Sequence, residues 1–292
     1  MRGRILYVVS FDASEAAVTW QVAEFSKAWE SAVVLMAVGQ PPWMGLFGGD
    51  ARARLKSKLV EVATRLRALK GHVAGVKAAV GDPVTETVRA ARQLGADLVM
   101  IGAGADAIAQ PESCAEHVQA IARRASQDVW ICKPHAEASL EHVLCAADTT
   151  ARAGDAVVRG VQIGRRFNAR VRLLSVLPEP ETAPNGDDAE ARVQAQQQAQ
   201  REFLRQFDLQ GVALSRAMVW GTQAAVEILI EAERFSDGLL VVGASSDPRV
   251  RSTGLGATVE RVLRSCPSSF LIVKHRVTRE RAAPSERGTT VA

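Results

Sequence analysis

The stretch 239–274, LLVVGASSDPRVRSTGLGATVERVLRSCPSSFLIVK, sets the reading of the whole chain. Its apolar run Leu239 to Val242 stops at Gly243, a polar loop follows, and apolar residues return at Val259, Val262, Leu263 and Cys266. The spacing i, i+3, i+4, i+7 is one face of a helix. A second run, Phe270 to Val273, lies between Pro267 and Lys274 and reads as a strand. Strand, loop, helix and strand in that order predict a parallel α/β unit, because parallel neighbours need a crossover. The loop from Gly243 to Gly256 leaves the carboxyl end of a strand and enters a helix amino terminus. Unpaired backbone N–H groups and the helix dipole favour an anion there, so a bound phosphate is expected at this point.

The same pattern stands earlier in the chain, at 97–133: DLVMIGAGADAIAQPESCAEHVQAIARRASQDVWICK. An apolar run ends at Gly102, and Val118, Ile121, Ala122 and Ala125 form a helix face offset from the later one by about 141 residues. A repeat of that length is a duplicated domain rather than a solenoid. The chain has 292 residues and 47% hydrophobic content, which suits two cores. It holds no apolar run of the roughly 18 residues that a membrane span needs. The start, MRGRILYVV, passes directly into a strand-like run, so no signal peptide is read and a cytoplasmic location is expected.

Cys114, Cys132, Cys145 and Cys266 form no C-x-x-C pair and share no metal-ligand spacing with the histidines. They read as small core hydrophobes in a reducing compartment. His72, His117, His135, His142 and His275 are scattered and read as structural or solvated. The net charge of +4 and pI of about 9.1 raise the question of nucleic acid. Lysines and arginines read as alternating with acids along helices such as Arg52 to Lys70, with no basic stripe among aromatics. The expectation is a solvated face and no nucleic-acid partner.

Each half predicts five strands alternating with four helices. In the first, strands are expected at Ile5–Ser10, Ala32–Val38 and Val73–Val80, and helices at Ala13–Trp29 and Ala51–Leu69. Asp82 and Pro83 supply an N-cap and a first helical residue, and Gly95 a C-terminal cap. The loop Gly39–Asp50 carries Trp43, Met44, Leu46 and Phe47 among prolines and glycines, either folding back on its domain or marking a contact surface. In the second half, strands are expected at His142–Ala147, Arg170–Leu177 and Val212–Val219, and helices at Ala189–Phe207 and Ala224–Phe235, the latter with Thr222 as N-cap. The helix after Asp148-Thr149 presents Ala153, Ala156, Val157, Gly160, Val161 and Gly164 on one face, small enough for close approach to a sheet. Two tandem doubly wound parallel five-stranded sheets, Rossmann-like, are the predicted fold class. Asp12 with Gly102, and Asp148 with Gly243, should meet where strand order reverses.

With strands ending in aspartate (VVSFDAS and LCAADTT), VVGAS before the loop and GATVERVLRSCPSSFLIVK after it, the chain resembles a tandem universal stress protein from about residue 4 to 274. The resemblance implies an adenine nucleotide alpha-hydrolase-like fold, with residues 1–135 as a first domain and 140–275 as a second; residues 276–292 lack periodicity and are expected to form a polar disordered tail. It further implies two domains packed as a pseudo-dimer, with the edges at Val129–Cys132 and Phe270–Val273 buried between them, and it leaves room for a homodimer.

The family's nucleotide signature is G-x2-G-x9-G-[ST]. The second half keeps Gly243 and Gly256 but has Ser246 at the second glycine and Ala257 at the hydroxyl position, with Thr258 one residue on. By the same resemblance Asp148 would hold the base or ribose end, and Val176 and Gly221 would flank the base. A weakly held ATP in the second half is therefore expected. The first half keeps Gly102 but has Ala105, Ala115 and Glu116 at the other positions, and the Glu116 carboxylate repels a phosphate, so no nucleotide is expected there. No Walker-type phosphate loop, G-x-S-x-G elbow or H-E-x-x-H is present. Binding rather than catalysis is the leading reading; a protein or lipid-like ligand docking module is the alternative, and a slow ATP hydrolase ranks below both.

Overall fold

A computed structural model describes residues 3–39, 51–104, 106–110, 114–134, 140–148, 151–177, 186–235, 238–245 and 255–275. In chain order the first half runs β1 (Arg4–Val8), α1 (Glu15–Trp29), β2 (Ala32–Gly39), α2 (Ala51–Ala68), β3 (Val73–Val80), α3 (Pro83–Gln93), β4 (Leu98–Gly102), α4 (Asp106–Ala109), α5 (Glu116–Arg124) and β5 (Asp128–Cys132). The second runs β6 (His142–Ala146), α6 (Ala151–Phe167), β7 (Arg170–Leu177), α7 (Gly186–Leu204), β8 (Leu214–Trp220), α8 (Ala224–Glu233), β9 (Leu239–Ser245), α9 (Ala257–Ser265) and β10 (Ser269–His275).

All ten strands join one sheet in the order β3-β2-β1-β4-β5-β10-β9-β6-β7-β8. Each half is thus the same five-strand pattern, and order reverses between β1 and β4 and between β6 and β9, as the duplicated motif requires. Alternate side chains enter opposite cores: Ile5 and Tyr7 join the cluster under α1, α2, α6 and α7, whereas Leu6 joins the one under α3, α5, α8 and α9. Cover on both faces is why the central strands are almost uninterrupted apolar runs.

Local chemistry sets the helix ends. The Asp82 carboxylate accepts the Thr85 N–H at 2.8 Å and Pro83 opens α3, as expected. Hydrogen bonding to Thr85 holds the Asp82 carboxyl below its ordinary value. The helix closes with Gly95 at φ +57°, its N–H on Arg92 O and that of Ala96 on Ala91 O, a Schellman ending. Thr222 is not a cap. Gln223 takes the N-cap position of α8 without a side-chain bond to the helix, its amide oxygen accepting instead from Arg261. β9 also runs past its expected stop at Gly243, because β10 continues to His275 and supplies partners for Ala244 and Ser245.

The halves join through β5 and β10, the sole antiparallel pair among the described strands, in the register Phe270 to Ile131, Leu271 to Trp130 and Ile272 to Val129. The expected edges are therefore paired within one chain. Two matching bonds flank the seam: Lys274 N–H donates to Asp128 Oδ1 at 2.9 Å, and Lys133 N–H donates to Ser269 Oγ at 3.1 Å. Arg123 grips both Glu260 oxygens from α5 to α9, at 2.7–2.9 Å. On the opposite face Asp128 Oδ2 accepts from Arg159 of α6 at 2.9 Å.

Candidate functional site

In the second half the switch point gathers the carboxyl ends of β6 and β9. Ala146 lies beside Val242 in register, so Asp148 and Gly243 both follow just beyond the last paired residues of β6. The turn into Asp148 is braced from β7: Ala147 N–H donates to Leu174 O at 3.0 Å, and its carbonyl accepts from Ser175 Oγ at 3.0 Å. Ser175 is itself held by Gln200 of α7, whose Nε2 donates to Ser175 Oγ at 3.0 Å. Neither Ser175 nor Gln200 was expected at the site; a serine within the apolar run Leu173–Leu177 of β7 is the signal that marks the first. Val176 sits half-buried near the end of β7, and Gly221 N–H bonds Leu177 O at 3.0 Å. A Cβ on Gly221 would meet the Glu227 side chain of α8 at 2.5 Å, so a side chain there would have to displace it.

The phosphate end is defined by Gly256 and the start of α9. Gly256 caps the helix at φ +90°, ψ +149°, a conformation side chains rarely adopt, and no atom of the described residues lies within 4 Å of where its Cβ would stand. Gly256, Ala257 and Thr258 are exposed, whereas Leu255 and Val259 anchor the segment in the core. Among the described residues the N–H groups of Ala257, Thr258 and Val259 have no hydrogen-bond partner. They are the free donors at the amino terminus of a nine-residue helix. The structure thus brings Asp148, Val176, Gly221, Gly243, Gly256, Ala257 and Thr258 to one edge of the sheet. Ser246 lies outside the described residues, as do the apolar loop Trp43–Phe47, Ala105 and the tail 276–292.

The corresponding place in the first half is closed. Ala115, the counterpart of Gly256, has φ −55° and bonds its N–H to Ala103 O at 3.0 Å, and a Cβ on Gly104 would meet the Ala115 methyl at 3.0 Å. Glu116 is exposed in the first turn of α5. Asp12 is turned back on its own chain, Oδ1 accepting the Ser14 N–H at 2.8 Å and the Ser14 hydroxyl at 2.5 Å. Buried Ser14 and Val18 press on Gly102, where a Cβ would come within 3.3 Å of Val18.

No group of three or more metal-ligating side chains occurs among the described residues. All four cysteines are buried thiols, and burial pushes Cys114 up to about 11 and Cys145 up to about 12, far from thiolate chemistry at neutral pH. Among the described residues no helix is long and apolar enough to cross a membrane.

Comparison with known proteins matches this arrangement. The model of the universal stress protein family matches twice, over residues 1–133 and 139–274, so the chain belongs to the universal stress protein family and carries its domain in tandem. Among solved structures, a functionally unknown protein from Pseudomonas aeruginosa PAO1 is 16% identical over 93% of this chain and 92% of its own, with a TM-score of 0.70. A universal stress protein from Archaeoglobus fulgidus DSM 4304 is 17% identical over 94% of this chain and 99% of its own, with a TM-score of 0.65. At these identities the likeness is one of fold. No curated protein matches the chain.

Proposed function

We propose that the chain is a cytoplasmic stress-response binding protein that holds an adenine nucleotide, ATP, at the carboxyl edge of its second half, and that its first half serves as scaffold. The contrast between Gly256 and Ala115 carries this reading. Where the first half fills the phosphate position with a methyl group, a bonded N–H and a neighbouring carboxylate, the second has a glycine with no described atom at its Cβ position and three N–H donors without partners among the described residues. Three phosphate oxygens suit those donors and the helix dipole behind them. The fit is incomplete: Ala257 lacks the hydroxyl of the family signature, which costs roughly 1.5–3 kcal/mol, or about ten- to a hundredfold in affinity. Thr258, exposed one residue on, offers a hydroxyl on the same turn. The described site places no paired general base and nucleophile beside it, so the proposed role is capture of the nucleotide without turnover.

Calorimetric titration of the whole chain with ATP tests this, alongside Gly256→Val. About one equivalent bound by the parent chain and none by the variant is the expected result. Binding that survives Gly256→Val at parent strength would move the site elsewhere, and absence of heat from the parent would end the nucleotide reading.

A further inference from the structure

Helix α2 and the two residues that follow it hold more positive charge than the whole chain has net. Residues 51–70 contain seven lysines and arginines and a single acid, Glu61, against a chain total of +4. The expectation that basic residues alternate with acids along this helix therefore fails. All seven are exposed. Arg65 pairs with Glu15 at 2.5 Å and Lys58 lies over the Phe11 ring at 5.6 Å, whereas Arg52, Arg54, Lys56, Arg67 and Lys70 have no ionic partner among the described residues.

Helical spacing sorts these charges. Leu59, Val62, Ala63 and Leu66 face the core, and the crest opposite is made of Ala53, Ser57, Val60, Thr64 and Ala68, all exposed. One flank, bordering α1, carries Arg54, Lys58 and Arg65 with Glu61 among them, and the opposite flank carries Lys56 and Arg67, while Arg52 in the first turn and Lys70 just past the helix end add charge at its two ends. A slim crest between two cationic rows, about 27 Å long by helical rise, complements a groove bounded by two phosphate strands. The major groove of B-form DNA, roughly 12 Å wide, admits a helix of about this diameter. Val60 is the only large apolar residue on the crest, which provides little for insertion into lipid. Placement of the charges is also costly for the helix: its first turn has no acid and carries Arg52 and Arg54 at the positive end of the dipole. Residues that oppose local stability while facing solvent point to a role outside the fold.

We propose that the solvent face of α2 is a docking surface for the phosphate backbone of duplex DNA, bound without base selectivity. The crest has no arginine or asparagine aimed at base edges, so affinity rests on counterion release.

The test is fluorescence anisotropy of the full chain with a random-sequence 20-bp DNA duplex across a salt series. The variant is Arg52→Gln/Arg54→Gln/Lys56→Gln, and the control removes the same charge from the second half, Arg201→Gln/Arg205→Gln/Arg216→Gln. The α2 variant should weaken binding at least about tenfold, flatten the log–log salt slope by about 2–3, and leave the melting temperature unchanged or raised; the control should do neither as strongly. A-form RNA of the same length should bind less well, its deep groove being too narrow for a helix. Equal losses in variant and control would reduce the effect to net charge and overturn the proposal. So would absence of duplex binding at low salt, whether or not the chain then sediments with phosphatidylserine vesicles or self-associates through α2.

Discussion

At the scale of single residues, the glycines of α6 carry the sharpest packing constraint. A Cβ on Gly160 would sit 2.1 Å from the Sγ of fully buried Cys145, and one on Gly164 would sit 2.3 Å from Val171 Cγ2. Relieving either contact means displacing a fully buried side chain of β6 or β7 or moving α6 itself. Gly160→Ala and Gly164→Ala are each expected to destabilise the protein by about 1–3 kcal/mol, read from the denaturant midpoint. Gly154→Ala is the control, because its Cβ would make ordinary contacts with Phe207 at 3.4 Å and Phe203 at 3.9 Å and the helix gains in propensity. An equal loss at Gly154 would mean that close approach is not the cause. The small-residue face of α6 was legible from spacing alone. The positive φ of Gly256 was not, since a glycine letter does not state its backbone angles, and the closure of Ala115 onto Ala103 needs a contact between chain segments that periodicity cannot supply.

At the scale of elements, β10 and α5 are linked by a buried lysine. Lys274, 4% exposed, donates from Nζ to Ala122 O at 2.9 Å near the carboxyl end of α5, where a cation suits the helix dipole. Burial pushes its ammonium down from 10.5 to about 8, against the pull of Asp128 and Glu260. Between those two values the folded chain binds fewer protons than the unfolded one, so this residue makes stability rise with pH. Each unit is worth about 1.4 kcal/mol, and the gain is complete only above the unfolded value. Melting at pH 7.5 and 9.5 should therefore show the parent gaining stability relative to Lys274→Met. A constant difference across that interval would place the lysine outside this linkage. Element order, most boundaries and the Asp82 and Gly95 caps were readable because they rest on local chemistry. The extra residues of β9 and the loss of Thr222 as a cap were not, because each depends on a partner from another element: β10 in one case, Arg261 in the other.

At the scale of the molecule, the seam between β5 and β10 turns two similar halves into one sheet. Burial of these edges followed from the family resemblance, whereas the polar groups that fix the register were not legible in the sequence. Asp128 does this from a site 5% exposed, with one oxygen on the Lys274 N–H and the other on Arg159 at 2.9 Å. Asp128→Ala removes the acceptor of the Lys274 N–H and the carboxylate that Arg159 meets, at an expected cost of about 2–4 kcal/mol. The loss falls on contacts between the halves more than on either core, so it should lower cooperativity as well as stability. Calorimetry is expected to record one transition for the parent chain and a broadened or split one for Asp128→Ala. Asp128→Asn, which keeps an acceptor for the Lys274 N–H while losing the charge that Arg159 meets, should fall between them. A single sharp transition for Asp128→Ala at the parent midpoint would mean that the apolar strand pairing couples the halves without help from this carboxylate.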